Sequence, residues 1–445
     1  MSKARDDLTA IYTAAISAVN PADAVDSHVK RRGEKLQLYS HGSLIKEYNL
    51  KQFRRVVVVG AGKAAAPMAK AVEKILGNRI TAGCICVKYG HTEALSKIQI
   101  VEASHPIPDA QGMAGAQRIL HLLRNTDEHD LVISLISGGG SALLTLPPEA
   151  ISLEDKRATT DLLLRSGAGI HDINTVRKHI SLVKGGNLAK AARDATVANL
   201  MVSDVVGDDI DVIASGPFAP DNSTFQDSLQ VLERYGLTEK VPAPVTAHIL
   251  AGARGDREEN PGTKSPVFNK VANLIVASNI IALKAANNEA VRRGYNSIIL
   301  SSLVEGDTRE AALWHSRIAR EAVSSSNPVP PPACILSGGE TTVSVTGDGL
   351  GGRNMEFAMH AALFIEGLSN VTVASIGTDG TDGPTDAAGA AVDGLTLFHA
   401  KENDIDIRTY IKRNDSYHFH KELNNLIITG PTNTNVMDLR IIIVE

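Results

Sequence analysis

The sequence predicts an α/β protein: a mostly parallel sheet covered on both faces, followed by a second α/β block. Three observations carry this. From residue 54 to about 240, apolar runs, glycine turns and amphipathic helical stretches alternate. Residues 251–267, AGARGDREENPGTKSPV, are rich in Gly, Pro and charge and read as a long loop or linker, after which the alternation resumes. Two glycine-and-hydroxyl loops, SGGGSALL from Ser137 and SGGETTVSVTGDGLGGRN from Ser337, each follow an apolar, strand-like run, DLVISLI and PPACIL. Such loops expose backbone N–H groups, which suits phosphate or carboxylate.

The elements follow in order. Residues 6–22 read as a surface helix, and VNPAD as a looser stretch. Strands are expected at 54–59, 80–88, 97–102, 130–136 and 196–202, and helices at 63–77, 110–125, 155–168, 186–194 and 243–250. The second block opens with a strand at 271–278, then a helix at 279–293, a strand at 296–301 and a helix at 307–324. After the proline break NPVPPP come strands at 333–336 and 341–346, a helix from near Asn354 and a strand at 371–377. The last segment, NNLIITGPTNTNVMDLRIIIV, predicts two short strands around a glycine–proline turn.

Composition narrows the function. The chain has 445 residues, 45 basic and 50 acidic side chains and a net charge of -5, with no long basic block. That argues against a nucleic-acid partner, as does the scarcity of aromatic rings. An anionic metabolite needs only a few local cations. The three cysteines, Cys84, Cys86 and Cys334, form no CxxC pair, so neither a disulfide scaffold nor a zinc site is expected. The amphipathic N-terminus does not resemble a signal peptide. No run reaches the ~20 apolar residues of a membrane span. A cytoplasmic location and no membrane partner are expected.

The turn VVGAGKAA suggests a dinucleotide fingerprint, but the next strand ends in Lys88, where an acid would hold a ribose diol. Lys63, in the first turn of the following helix, opposes the helix dipole unless an anion binds there. It reads either as a phosphate or substrate contact or as an exposed lysine. His105, in SHPIPD, reads equally as a general base or a hydrogen-bonded loop histidine. Ser137, Gly138, Gly139, Gly140 and Ser141 form the loop best explained by close approach of a phosphoryl group. Arg177 and Lys178, in NTVRKHISLVKGG, are further candidates for a cleft.

Asp204 directly follows a strand, where a carboxylate suits a metal or a substrate hydroxyl. In GGETTVSVTGDGLGGRN the candidates are Glu340, Arg353 and Asn354. The Arg353 fork matches carboxylate or phosphate, the alternative being an ion pair across a domain interface. GTDGTDGPTDAAGA adds Asp379, Asp382 and Asp386 as a cradle for a divalent ion, a hydroxyl clamp, or a stack of Asx turns.

Taken together, VVGAGKAA, HPIPD, LISGGGSALL, NTVRKHISLVKGGNLA, SDVVGDDIDVIASGP, SGGETTVSVTGDGLGGRN, GTDGTDGPTDAAGA and TGPTNTNVMDL resemble the glycerate 2-kinases of the MOFRL class, a group also labelled hydroxypyruvate reductase. The stretches run from about residue 56 to 440. The resemblance implies phosphorylation of D-glycerate at its 2-hydroxyl, dependent on ATP and Mg²⁺. It implies a Rossmann-like three-layer domain (residues 1–245) and a smaller α/β domain with a mixed sheet (residues 246–445, with the MOFRL region at about 330–440), the active site lying in the cleft between them. It carries Lys63 and Arg353 over as active-site contacts and is compatible with a homodimer. Ser104, where glycine is common before HP, and Asn433, where TGPTGTN is usual, depart from the pattern.

On this reading Lys63, Arg353, Mg²⁺ and the Gly138–Gly140 backbone share the charge of the transferred phosphoryl group, and Asp204 orients the C2 hydroxyl or accepts its proton. The rivals are an NAD(P)-dependent hydroxypyruvate reductase and a kinase acting on a related hydroxy acid. The missing strand-end acid argues against NAD, while Lys88 leaves room for NADP.

Overall fold

The apolar runs become the central strands of two six-stranded sheets, and a separate three-stranded sheet is one that local pattern did not announce. The computed structural model describes residues 3–445. The three-stranded sheet comprises β1 (Val29–Arg32), β2 (Lys35–Ser40) and β3 (Ser43–Asn49), all antiparallel. It is polar and β3 is mostly exposed, so the sequence carries little apolar alternation to mark it.

The first large sheet comprises β4 (Arg55–Ala61), β5 (Ile80–Lys88), β6 (Gln99–Ala103), β7 (Asp130–Ile136), β8 (Thr196–Val202) and β9 (Val271–Ala277), in the order β6-β5-β4-β7-β8-β9. β4 pairs in parallel with both β5 and β7, β5 with β6, and β7 with β8. The chain winds outward from β4 to β6, then returns to β7 on the other side. This is the order of a Rossmann-like sheet, and the reversal opens a crevice beyond the carboxyl ends of β4 and β7. β7 is buried along its whole length, as a strand covered on both faces must be. Cys84 and Cys86 are core thiols of β5, their pKa values pushed up by burial.

The second large sheet comprises β10 (Asn296–Val304), β11 (Ala333–Gly339), β12 (Val371–Gly377), β13 (Gly389–Asp393), β14 (Leu426–Ile427) and β15 (Asp438–Val444), in the order β10-β11-β15-β12-β13-β14. Only β10 and β11 are parallel; the other pairs are antiparallel, so the sheet is mixed. The two strands expected near the C-terminus both exist but do not pair with each other. β14 is an edge strand on β13, while β15 is inserted between β11 and β12. The expected strand at 341–346 does not form: the segment makes a single bridge, Asp307 to Thr342, and Val345 is exposed. The helix Arg353–Phe364 is buried along most of its length and packs on β12 and β13.

The chain divides into two compact units. One holds Pro21–Ser203 and Asp208–Val276; the other holds the segment ending at Asn20, Asp204–Gly207 and Ala277–Glu445. The expected division at 245/246 differs from this at both ends. β9 completes the first sheet, so that unit runs on to Val276. The helix Lys3–Ala18 packs against the helix Asn279–Arg292 and so belongs to the mixed-sheet unit. Its buried Asp7 accepts hydrogen bonds from Lys3 (2.8 Å), Tyr295 (2.7 Å) and Arg293. Burial opposes ionisation of Asp7, yet these donors hold its pKa down at about 2.

Candidate active-site loops

In the parallel-sheet unit, the loops after β4 and β7 are tied together at the crevice where the winding reverses. The Lys63 N–H donates to Gly138 O (2.9 Å), and the Ser137 N–H donates to Ala61 O (3.0 Å). The Ser137 hydroxyl accepts from Ala64 N–H (3.0 Å) and is almost fully buried, so it caps a turn from within. Gly62 has a φ of +137°, and a side chain there would strike the Ser137 hydroxyl. Gly139, at φ +79°, lies against the His105 ring and the Lys63 stem: a Cβ placed there would lie 3.0 Å from His105 Cδ2 and 3.3 Å from Lys63 Cγ. Three residues far apart in sequence thus converge.

This corner is positively charged. Burial, then Lys63, Lys88 and His91, push the His105 pKa down to about 4. His105 is therefore held in its neutral form at pH 7 by burial and these basic neighbours. Burial and Lys88 also lower His91, which bonds to the Lys63 backbone. Among the described residues the Lys63 and Lys88 ammonium groups have no hydrogen-bonded or ion-paired partner. The N–H groups of Gly138 and Gly139 likewise donate to no group of the described residues. His91 was not singled out from sequence and Lys88 was noted only as a strand-end residue, because their nearness to Lys63 comes from the pairing of β5 with β4.

The other basic candidates diverge. Lys178 is buried and paired with Asp211 (2.9 Å) and Asp221 (3.5 Å), which makes it a structural ion pair. Arg177 is partly buried, has no partner among the described residues, and its pKa is lowered by burial. Ser141 bonds inward to Ser215 (2.9 Å) and to Lys184. Asp204 follows β8 and is partly buried.

In the mixed-sheet unit, Arg353 opens its helix and reaches two carboxylates. Its Nε and Nη2 donate to Asp438 (2.7 and 3.1 Å), and its Nη1 donates to Glu340 (2.6 Å). Burial works to lower its pKa, but Asp438 and Glu340 hold it above the ordinary arginine value. Asn354 is buried, donates to Asp438 (3.0 Å) and accepts from Ser375 (2.6 Å), so it braces the fold. Asp382 accepts from the N–H groups of Asn354 (3.1 Å) and Met355 (2.8 Å), capping the helix from a neighbouring loop. Burial raises the Asp382 pKa to about 6 against these donors, and Asp438 adds to the rise. Arg353, Asp379, Asp382, Asp438 and Asn435 line one cavity of about 480 Å³.

Asp438 was not singled out from sequence. Its place depends on register: it lies opposite Gly339 of β11 and Gly377 of β12, at the edge where both glycine loops leave the sheet.

A family profile described as a domain of unknown function (DUF4147) matches residues 7–250, and a MOFRL family profile matches residues 333–438. A glycerate 2-kinase of Pyrococcus horikoshii is 45% identical over 431 residues, covering 97% of this chain and 95% of the relative. The chain belongs to the glycerate 2-kinase family. A D-glycerate 2-kinase of Thermotoga maritima is 44% identical, covering 86% of this chain and 89% of the relative. The crystal structure of a Thermotoga maritima glycerate kinase matches with a TM-score of 0.86 at 41% identity, covering 98% of each chain.

For a kinase family, the acidic residues need sorting. The expected cradle of Asp379, Asp382 and Asp386 does not assemble. Asp386 is bound to the Tyr417 hydroxyl (2.9 Å) away from the cavity lining, and no group of three candidate metal ligands occurs among the described residues. Asp379 makes an Asx turn through Oδ1, with Thr381 N–H at 3.1 Å; its Oδ2 accepts nothing from the described residues. Asp379 and Asp382 both line that cavity, Asp379 with Oδ2 unengaged among the described residues and Asp382 with both oxygens on helix N–H groups. That donor set fits Mg²⁺, which takes one or two carboxylates and completes its shell with water and phosphate. No helix among the described residues is long and apolar enough to cross a membrane.

Behind the glycine loop lies Lys156, fully buried with only Ile180 O (3.3 Å) as acceptor. Burial, with Arg177 nearby, pushes its pKa from 10.5 down to about 7. Between those two values the unfolded chain holds a proton that the folded chain does not, so stability falls as pH drops through the window. Lys156→Met is expected to raise the unfolding midpoint at pH 7 and flatten this slope, as urea titrations across the window would show. A lower midpoint at pH 7 would count against the unpaired charge.

Proposed function

We propose that this chain transfers the γ-phosphoryl group of ATP to the C2 hydroxyl of D-glycerate, releasing ADP and 2-phosphoglycerate. The observation that carries this is the unpaired Lys63 ammonium beside the free N–H groups of Gly138 and Gly139, at the reversal point of a Rossmann-like sheet. A cation and two oriented amides, in a corner where the neighbouring ionisable groups are basic, suit oxygens of a phosphoryl group or a carboxylate. Lys88, in place of a ribose-binding acid, weakens the NAD reading.

Lys63 and the glycine loop stabilise charge on the transferred group, and Arg353 is the proposed cation of the mixed-sheet unit's own cavity. The C2 oxygen bonds to the γ-phosphorus as the bond to the β,γ-bridging oxygen breaks, and ADP leaves with that electron pair. Asp204 is the proposed acceptor of the hydroxyl proton. Asp379 and Asp382 would hold Mg²⁺, which supplies charge neutralisation on the phosphates.

Incubation with ATP, Mg²⁺ and D-glycerate, read by phosphorus NMR, is expected to show phosphate on C2. Phosphate on C3 would redirect the mechanism; oxidation of NADPH by hydroxypyruvate without phosphoryl transfer would favour the reductase. Lys63→Met is expected to lower kcat by about 10²–10³, with little change in unfolding midpoint because the ammonium bonds nothing in the fold. Wild-type turnover in that variant would remove Lys63 from the mechanism.

A further inference from the structure

The SGGGS loop is held from beneath by a buried lysine that has no counter-ion among the described residues. Lys184 is fully buried, and its Nζ donates to Ser141 O (2.8 Å), Ser141 Oγ (3.2 Å) and Ala214 O (3.4 Å), all of them neutral. Because lysine only donates, the polarity of the next bonds is determined. The Ser215 hydroxyl donates to Asn174 Oδ1 (3.0 Å), so it accepts from the Ser141 hydroxyl (2.9 Å). A one-way chain therefore runs from Lys184 through Ser141 and Ser215 to Asn174.

The same lysine secures a strained turn. Ala214 and Ser215 adopt φ values of 51° and 60°, which non-glycine residues seldom take unless the surroundings impose them. Gly185 N–H donates to Ser215 O (3.0 Å) and Gly186 N–H to Gly216 O (2.7 Å), zipping the lysine's own backbone to that turn. Gly140 packs against Ala214: a Cβ on it would lie 2.8 Å from the alanine methyl.

Two further basic side chains, Lys156 and Arg177, stand close enough to lower the Lys184 pKa after burial has done so. Neither has a carboxylate partner, and the nearby Asp211 and Asp221 are committed to Lys178. Lys184, Lys156 and Arg177 thus form a basic group with no carboxylate partner among the described residues, and burial opposes charging each of them until an anion is supplied.

We propose that Lys184 is a positioning residue whose missing counter-ion is the anion docked on the SGGGS loop, with Lys156 and Arg177 adding to its field. This rests on the reading of that loop as an anion cradle and extends it to the side chains behind. Lys184 does not touch the ligand. It sets the Ser141 and Ala214 backbones that shape the cradle, and its charge acts through them on a phosphoryl or carboxylate group.

The test uses the full chain and three variants. Lys184→Gln keeps hydrogen-bonding capacity and removes the charge, Lys184→Met removes both, and Arg177→Gln alters a partly exposed member. Calorimetric titration with inorganic phosphate and ATP forms one arm, and D-glycerate the other. Lys184→Gln is expected to bind one class of ligand at least about tenfold more weakly, with the other unchanged and the unfolding midpoint equal or higher. In the assay that ligand's KM rises more than kcat falls. Arg177→Gln is expected to weaken the same ligand. Loss on the phosphate and ATP arm assigns the cradle to phosphoryl oxygens; loss on the glycerate arm assigns it to carboxylate. Folded Lys184→Gln with wild-type affinity for both classes would overturn the proposal, as would equal weakening of both with a lowered midpoint. Should neither Lys184 variant fold, unchanged affinities in Arg177→Gln overturn it. A wild-type protein that binds phosphate but does not phosphorylate glycerate would sink the kinase reading and leave this one to be decided by the same titrations.

Discussion

Arg353→Lys is expected to lower kcat/KM by about 10³-fold while the chain still folds. The guanidinium uses three nitrogens in fixed geometry, two on Asp438 and one on Glu340. Lysine keeps one positive charge and can still neutralise Asp438, so the fold survives. It cannot hold both carboxylates and also present a planar donor to the cavity that Arg353 lines. Steady-state rates with both substrates, alongside thermal unfolding, would check this. A variant within tenfold of wild type would show that charge alone suffices at this position.

Asp438→Ala is expected to destabilise the fold by about 3–5 kcal/mol and to abolish turnover. Asp438 is fully buried and serves both Arg353 and Arg440. Arg440 is itself 1% exposed, lies over the Phe357 ring, and has Nε and Nη1 without partners. Removing the carboxylate would leave the Arg440 guanidinium unneutralised in a dry site and Arg353 with only the half-exposed Glu340. Glu340→Gln makes the comparison informative: Glu340 is 44% exposed, so losing its pair with Arg353 should cost no more than about 1 kcal/mol. Urea unfolding of both variants at pH 7 measures the contrast. Equal losses would mean that burial of Asp438 does not matter as argued.

These two residues show how far local reading reaches. Arg353 was visible because a glycine pair ahead of a helical stretch presents an arginine in its first turn. Asp438 was not, since nothing near it marks it as special. It matters because β15 runs antiparallel between β11 and β12, which places its first residue beside the loops that end both neighbours. The acidic run Asp379, Asp382, Asp386 fails in the opposite sense. Its spacing suggested one cradle, but Asp382 is drawn inward to cap the helix at Arg353, while Asp386 goes to Tyr417. Spacing along a glycine-rich loop does not determine which way each carboxylate points.

The strands show a similar division. β4, β5 and β7 were legible because a strand buried on both faces must be apolar throughout. TTVSVT, from Thr341, alternates as a strand should, yet no neighbouring strand is available to it, and Val345 stays in solvent.

Local pattern therefore established the α/β class, the positions of the central strands, and the glycine loops with Lys63 and Arg353, because each depends on short-range periodicity or backbone freedom. Tertiary packing alone decided that Lys63, His105 and Gly139 meet, that Asp438 holds Arg353, and that Lys184 lies buried without a counter-ion. Those facts depend on strand order and on which side chains are removed from water, and both arise from contacts between residues far apart in the chain.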